Sequence, residues 1–405
     1  MINRKNQYIY FITLIIILST NIFDLRDFSG RTQKFFYYPL ILYMLYQLWK
    51  NKRRITIKKN FSSQLNITTL CVIASCLPCY LYYGQTISGS IIATFPIIGG
   101  IIFYHFLHSY RINEQTLITS LQIIALTILC IQIFQQLFPS IAIFGAGSSL
   151  NILEGKEVEI RNGLYRFRLG NNNIFCFPIL YYAWSKFMSK KTLKDLLLIC
   201  LMLISTYLLL TRQILATTLI TLIIGIFYNK KSNKSTYFFI LFIGILLLVI
   251  NKDIILGDFI TKSNDDINNS DYIRYLSAEF FFDQTFLSPL TIICGHCIPV
   301  GGSPFETYIH RLWEVGMYSG DVGFIGAAFH YGWIYVITFY FIIYKIFFIY
   351  KKYIPPYIKM SILSMTLYSI MIFMFSTNAG IILWAIILYI CDIHIHKAKI
   401  NIYKQ

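Results

Sequence analysis

Long apolar runs alternate with short polar stretches along most of the chain: 8–24, 35–49, 65–83, 91–107, 116–138, 172–188, 193–211, 214–228, 236–250, 322–348, 357–376 and 378–392. Most approach the roughly 20 residues that carry a helix across a bilayer, so the pattern predicts an all-α integral membrane protein, a polytopic bundle of about twelve transmembrane helices. The first run follows Arg4 and Lys5 but is not followed by a small-residue cleavage site, and it reads as the first span. Two polar stretches, 139–171 and 251–321, are too long to be simple turns. With no Gly/Ser linker, soluble appendage or evident repeat, residues 1–405 read as a single polytopic membrane domain carrying two long loops.

Charge adds an orientation. Once the runs are threaded alternately, one set of connections and span ends holds nineteen Lys and four Arg with only three acids. The opposite set holds eight Arg, four Lys and fifteen acids. Short loops rich in Lys and Arg are retained on the cytoplasmic side, which places both termini inside and both long loops outside. Basic clusters such as Lys50–Lys59, Lys186–Lys194, Lys230–Lys234 and Lys345–Lys359 recur at every second junction, as that threading requires. The outer set is unusual in preferring Arg, the planar and permanently charged fork that grips phosphate with two parallel hydrogen bonds.

Composition narrows the class further. A chain of 405 residues that is 56% hydrophobic, 13% charged and of mean hydropathy +0.60 is far too apolar for a soluble domain. The net charge of +17 sits mainly in short loops beside spans, where membrane topology and anionic lipid headgroups explain it without nucleic acid. Most of the nine cysteines fall in apolar runs. Cys294-Gly-His296-Cys297 matches a dithiol-oxidoreductase tetrapeptide, but that chemistry needs a βαβ domain of about 100 residues, more than this loop supplies. An incidental disulfide there stays open.

Four groups of residues are candidates for chemistry. The segment Arg161-Asn-Gly-Leu-Tyr-Arg166-Phe-Arg168 interleaves three guanidinium groups with aromatics, which suits a pyrophosphate carrying a sugar, or alternatively an anchor at the headgroup level. Thr211-Arg212-Gln213 places one cation between two apolar runs, where it serves a site or snorkels. Arg274, in Asp271-Tyr-Ile-Arg274-Tyr275, binds an anion or pairs within an acidic loop. The stretch Glu306-Thr-Tyr308-Ile-His310-Arg311-Leu-Trp313-Glu314, then Asp321, offers an imidazole that can take a hydroxyl proton. If this stretch is helical, Glu306 and Glu314 each share a face with His310; an ordinary surface helix would show the same spacing. Asp24 and Asp27 are a weak hint of a metal site in the first outer connection.

The layout and three patches resemble the Wzy-type O-antigen and capsular polysaccharide polymerases of bacterial inner membranes. The patches are the Arg-bearing loop of Arg161 to Asn173, the Thr211-Arg212 turn, and Ile293-Cys-Gly295-His-Cys297-Ile-Pro299 with Asp321-Val-Gly323-Phe-Ile-Gly326 and Tyr331-Gly332. Cys297 stands where that family often has the second glycine of a pair. The run His310–Leu312–Glu314–Gly316 is also similar to the related O-antigen ligases.

The resemblance implies a GT-C-like helical fold with two long periplasmic loops and metal-independent glycosyl transfer at the periplasmic face. The substrates it implies are oligosaccharide repeat units on undecaprenyl pyrophosphate. In that reading Arg161, Arg166, Arg168, Arg212 and Arg274 neutralise the departing pyrophosphate, and His310 is the base for the attacking hydroxyl. Tyr272, Tyr275, Tyr308 or Trp313 carries the acceptor sugar, with Glu306, Glu314 and Asp321 beside it. A chain-length regulator and a flippase are the protein partners implied. A ligase, or a lipid-linked oligosaccharide flippase or other transporter, is the alternative; the seventy-residue loop and the missing repeat favour an enzyme.

Overall fold

The computed structural model describes residues 4–20, 31–50, 57–139, 160–165, 172–228 and 272–403. The predicted span at 236–250, Asp24, Asp27, Arg166 and Arg168 lie outside the described residues.

The described chain is mostly helical. In order, the helices are α1 (Arg4–Thr20), α2 (Arg31–Lys50), α3 (Ser62–Ala74), α4 (Cys76–Tyr83), α5 (Ile87–Tyr110), α6 (Glu114–Leu137), α7 (Cys176–Lys190) and α8 (Leu193–Tyr207). They continue with α9 (Arg212–Tyr228), α10 (Ile273–Thr285), α11 (Pro289–Cys294), α12 (Pro304–Glu314), α13 (Gly323–Tyr331), α14 (Trp333–Tyr344), α15 (Pro356–Tyr368) and α16 (Asn378–Tyr403). Among the described residues, Ser62–Tyr83, Ile87–Tyr110, Glu114–Leu137 and Asn378–Ile400 are long and apolar enough to cross a membrane, and several apolar helices are shorter. Leu70, Leu137 and Phe348 are 65%, 68% and 71% exposed, an outward apolar surface that lipid tails would cover. This is the make-up of an all-α membrane-embedded protein.

Some continuous apolar runs are interrupted. Pro78 has no amide hydrogen to give the Ala74 carbonyl, and the rod at 62–83 breaks at Ser75 into α3 and α4. The run at 322–348 breaks at Gly332, whose φ of +79 with ψ 165 is open only to glycine. The run at 357–376 is α-helical only to Tyr368 before a 3-10 turn at Met374–Ser376. The last helix runs on past the predicted end at 392 to Tyr403.

The chain forms two compact units, residues 1–37, 112–268 and 355–365, and residues 38–111, 269–354 and 366–405. In the first, α1 packs on α6 and α7 on α8. Buried polar groups are matched there: Gln132 Nε2 donates to the Ser205 carbonyl at 3.1 Å, and Ser205 Oγ donates to Gln132 Oε1 at 2.6 Å. An Asn162-Gly163 turn, with φ of +50 and +72, closes a two-stranded hairpin, Ile160–Arg161 with Leu164–Tyr165.

In the second unit α16 is the central helix, with 89% of its apolar stretch buried. It packs on α5, where a Cβ at Gly100 would meet the Ile381 side chain at 2.7 Å, so the two helices approach closely. The short helices α10 to α13 gather at one end of this unit and form a satellite core with α4 through Phe281, Phe305, Ile309 and Phe329.

Candidate functional site

In the first unit, the hairpin puts Arg161 on a strand opposite Leu164. Gln136 at the end of α6 accepts the Tyr165 amide at 3.1 Å and donates back to the Tyr165 carbonyl, holding the hairpin to the helix. Asn162 at its tip hydrogen-bonds Tyr207, the last residue of α8. Three residues further on, Leu210 turns through φ +50, and Arg212 begins α9. The strand of Arg161 and the Thr211-Arg212 turn therefore lie at one end of this unit.

The second unit collects the remaining described candidates. Ser303 caps α12 by accepting the Glu306 amide at 3.1 Å, and Pro304 supplies the preset first turn. Phe305 and Ile309 anchor one face of α12 in the core and leave His310 on the other, with its side chain 52% exposed. Glu306 Oε1 lies 3.7 Å from His310 Nε2, and its other oxygen accepts the Gly302 amide at 2.6 Å. Glu314 is exposed at the helix end, and no ion pair joins it to His310 among the described residues. The imidazole meets Trp313 edge-on at 4.5 Å, and Trp313 stacks with Tyr318 at 6.1 Å. An imidazole flanked by exposed aromatic faces suits a sugar.

The start of α10 lies against the turn after α12, where Ile273 faces Gly316. Arg274 is half-buried, its guanidinium 5.9 Å from the Tyr272 ring centre, and Tyr275 is exposed beside Tyr272. Tyr308 points inward instead: its ring packs on Tyr83 at 5.2 Å, its hydroxyl approaches Gln284 at 3.5 Å, and burial raises its pKa. Asp321 closes the 3-10 turn Ser319–Asp321. Arg274, Tyr275, His310 and Asp321 thus share one end of this unit, while Arg161 and Arg212 belong to the other.

Two residues of this end escaped the sequence reading. Gln85, 1% exposed, donates to Ser90 Oγ at 2.8 Å and the Ile298 carbonyl at 2.9 Å, and accepts the Val300 amide at 2.9 Å and Ser303 Oγ at 2.8 Å. It ties the loop ahead of α12 to the start of α5. Gln85→Leu would strand several of these groups at about 1–3 kcal/mol each. A drop in melting temperature with faster hydrogen exchange at the Val300 amide is the expected result.

His330 is the other, and it is joined to the Cys294–Cys297 stretch that carries His296. Burial lowers the His296 pKa to about 4, so the ring is neutral, and Nε2–H donates to the Gln284 carbonyl at 3.0 Å. The amides of His296 and Cys297 donate to the Phe329 and His330 carbonyls, each at 2.7 Å, sealing the loop onto the end of α13. Cys294 and Cys297 are free, buried thiols with separate neighbours; Cys297 packs with Cys76 and Cys79.

Where the end of α5 meets the middle of α16, His108 Nε2 and Asp392 Oδ2 lie 3.0 Å apart, both fully buried. No protein-family model matches the chain, and the curated proteins searched include no similar one.

Proposed function

We propose that this protein polymerises undecaprenyl-pyrophosphate-linked oligosaccharide repeat units into O-antigen, capsule or exopolysaccharide by metal-independent glycosyl transfer. The reading includes about twelve spans, a GT-C-like arrangement, an inner-membrane location, cytoplasmic termini and a site facing the periplasm. The observation that carries it is the meeting of Arg274, Tyr275, His310, Trp313 and Tyr318 at one end of a helical unit. There a cation, a base and stacking surfaces serve a sugar with an anionic leaving group.

In this mechanism His310, oriented by Glu306, takes the proton of the attacking sugar hydroxyl as that oxygen displaces the lipid pyrophosphate. Arg274 takes up the charge that develops on the departing diphosphate, and Arg161, Arg166, Arg168 and Arg212 are the further cations of this reading. A chain-length regulator and a flippase are the protein partners of this reading.

Losing one such donor typically costs 10²–10³ in rate, so Arg212→Ala and Arg274→Ala should each remove long polymer at unchanged protein level. His310→Ala should leave lipid-linked units accumulating. A gel of surface polysaccharide checks all three, and normal ladders from both arginine variants would discard the pyrophosphate clamp. The ligase reading, favoured by the run from His310 to Gly316, requires that deletion abolish single capped units as well as long chains.

A further inference from the structure

Beside the His310 region, a second imidazole is held in a hydroxyl-activating arrangement. His330 Nδ1 lies 2.6 Å from the Cys297 carbonyl, which can only accept, so Nδ1 carries the hydrogen. The neutral ring then presents a bare lone pair at Nε2, and Ser319 Oγ donates to it at 2.9 Å. A hydroxyl, a base aligned with it and a third group orienting that base make up the signature of an activated nucleophile.

The backbone around this pair is built for close approach. A Cβ on Gly326 would stand 1.8 Å from the Ser319 carbonyl oxygen, so the 3-10 turn rests directly on α13. Gly295, at φ +71, lies where a Cβ would come within 2.5 Å of the His330 carbonyl carbon. The Cys297 amide returns a hydrogen bond to the His330 carbonyl at 2.7 Å, so the orienting carbonyl is itself fixed. Ser319 and His330 are only partly buried, and Ser319 sits in a turn rather than inside a helix.

We propose that Ser319 and His330 form a nucleophile–base pair for acyl transfer, taking a carboxylic ester as substrate. Ser319 Oγ attacks the ester carbonyl while its proton passes to His330 Nε2. The tetrahedral adduct collapses, the bond to the leaving alkoxide breaks, and that oxygen takes the proton from Nε2. The acyl group on Ser319 then passes to a sugar hydroxyl or to water, whose proton goes to Nε2 and from there to the departing Ser319 Oγ, and the enzyme is restored without an external oxidant or reductant. This activity is separate from glycosyl transfer and does not depend on it. The same contacts in a purely structural latch would leave the serine unreactive, and that difference is measurable.

The full chain in lipid nanodiscs is treated with a fluorophosphonate and digested, and the peptides are read by mass spectrometry. Ser319 is the expected site of phosphonylation, absent in Ser319→Ala and slowed roughly 10²-fold in His330→Gln. Because the latter removes a packed ring, the nearly isosteric Ser319→Cys gives a second reading. Its thiol should react with iodoacetamide at pH 6 at least about tenfold faster than free glutathione, as a thiolate paired with imidazole does. An unmodified Ser319 in the wild-type protein, or a Ser319→Cys thiol no faster than glutathione, overturns the proposal.

Discussion

Asp392→Ala should cost about 3–5 kcal/mol, the penalty for removing a buried carboxylate while its hydrogen-bond partners stay behind. The carboxylate is fully buried in the middle of α16, and its acceptor capacity is well used. Oδ1 accepts the Asn60 amide at 3.1 Å and Asn60 Nδ2 at 2.7 Å; Oδ2 accepts the Tyr104 hydroxyl at 2.5 Å and faces His108 Nε2 at 3.0 Å. Lys345 Nζ extends the network by donating to the Asn60 carbonyl at 2.8 Å. One side chain therefore holds α5, α16 and the approach to α3 in register. Alanine would leave several donors facing a cavity that lacks an acceptor. Asp392→Asn, which keeps one carbonyl oxygen, should fall between alanine and wild type. The measurement is thermal unfolding of purified protein, combined with His108→Ala in a double-mutant cycle. Additive losses would mean that the pair is not energetically coupled, and a melting point like that of wild type would remove Asp392 from this role.

That carboxylate also shows where sequence reading stopped. The apolar run ends at Asp392 because a charge ordinarily marks the membrane boundary, yet the helix continues to Tyr403. Its partners lie 284 to 332 positions away in the chain, a separation that local hydropathy does not register. Where periodicity and composition decide, the reading came close: runs at 91–107 and 116–138 are helices Ile87–Tyr110 and Glu114–Leu137. The Thr211-Arg212 turn also falls between two helices as expected.

The candidate site was partly legible. Spacing put Glu306 and His310 on one face of a helix, and α12 places them there. Tyr308, a candidate for carrying the acceptor sugar, packs on Tyr83. Asn162-Gly163 is a strong hairpin signal, and the structure closes a hairpin there. His330 had a signal of its own, as an ionisable residue inside an apolar run. Its importance becomes visible only when Ser319 and Cys297 converge on it through the fold.

Gly332→Ala is the substitution that separates fold from chemistry at this end of the unit. It removes no functional group, but it should cost at least about 3 kcal/mol, from a forbidden backbone conformation added to a main-chain clash. At φ +79 and ψ 165, the residue occupies a region essentially reserved for glycine. A Cβ there would lie 2.0 Å from the Ile293 carbonyl oxygen and 2.7 Å from the Cys294 nitrogen, and both are backbone atoms that cannot rotate away. Gly302→Ala is the internal control: its φ is also +79, but open space surrounds it, so only the conformational cost of roughly 1–2 kcal/mol remains. The two variants share a positive φ and differ in what the new methyl meets. Hydrogen exchange at the His296 and Cys297 amides, which donate to α13, should accelerate in Gly332→Ala and stay near wild type in Gly302→Ala. Equal protection in the two variants would mean that the loop is not sealed onto the end of α13. The carbonyl that orients His330 would then have no fixed position, and the arrangement of Ser319, His330 and Cys297 could not persist in solution.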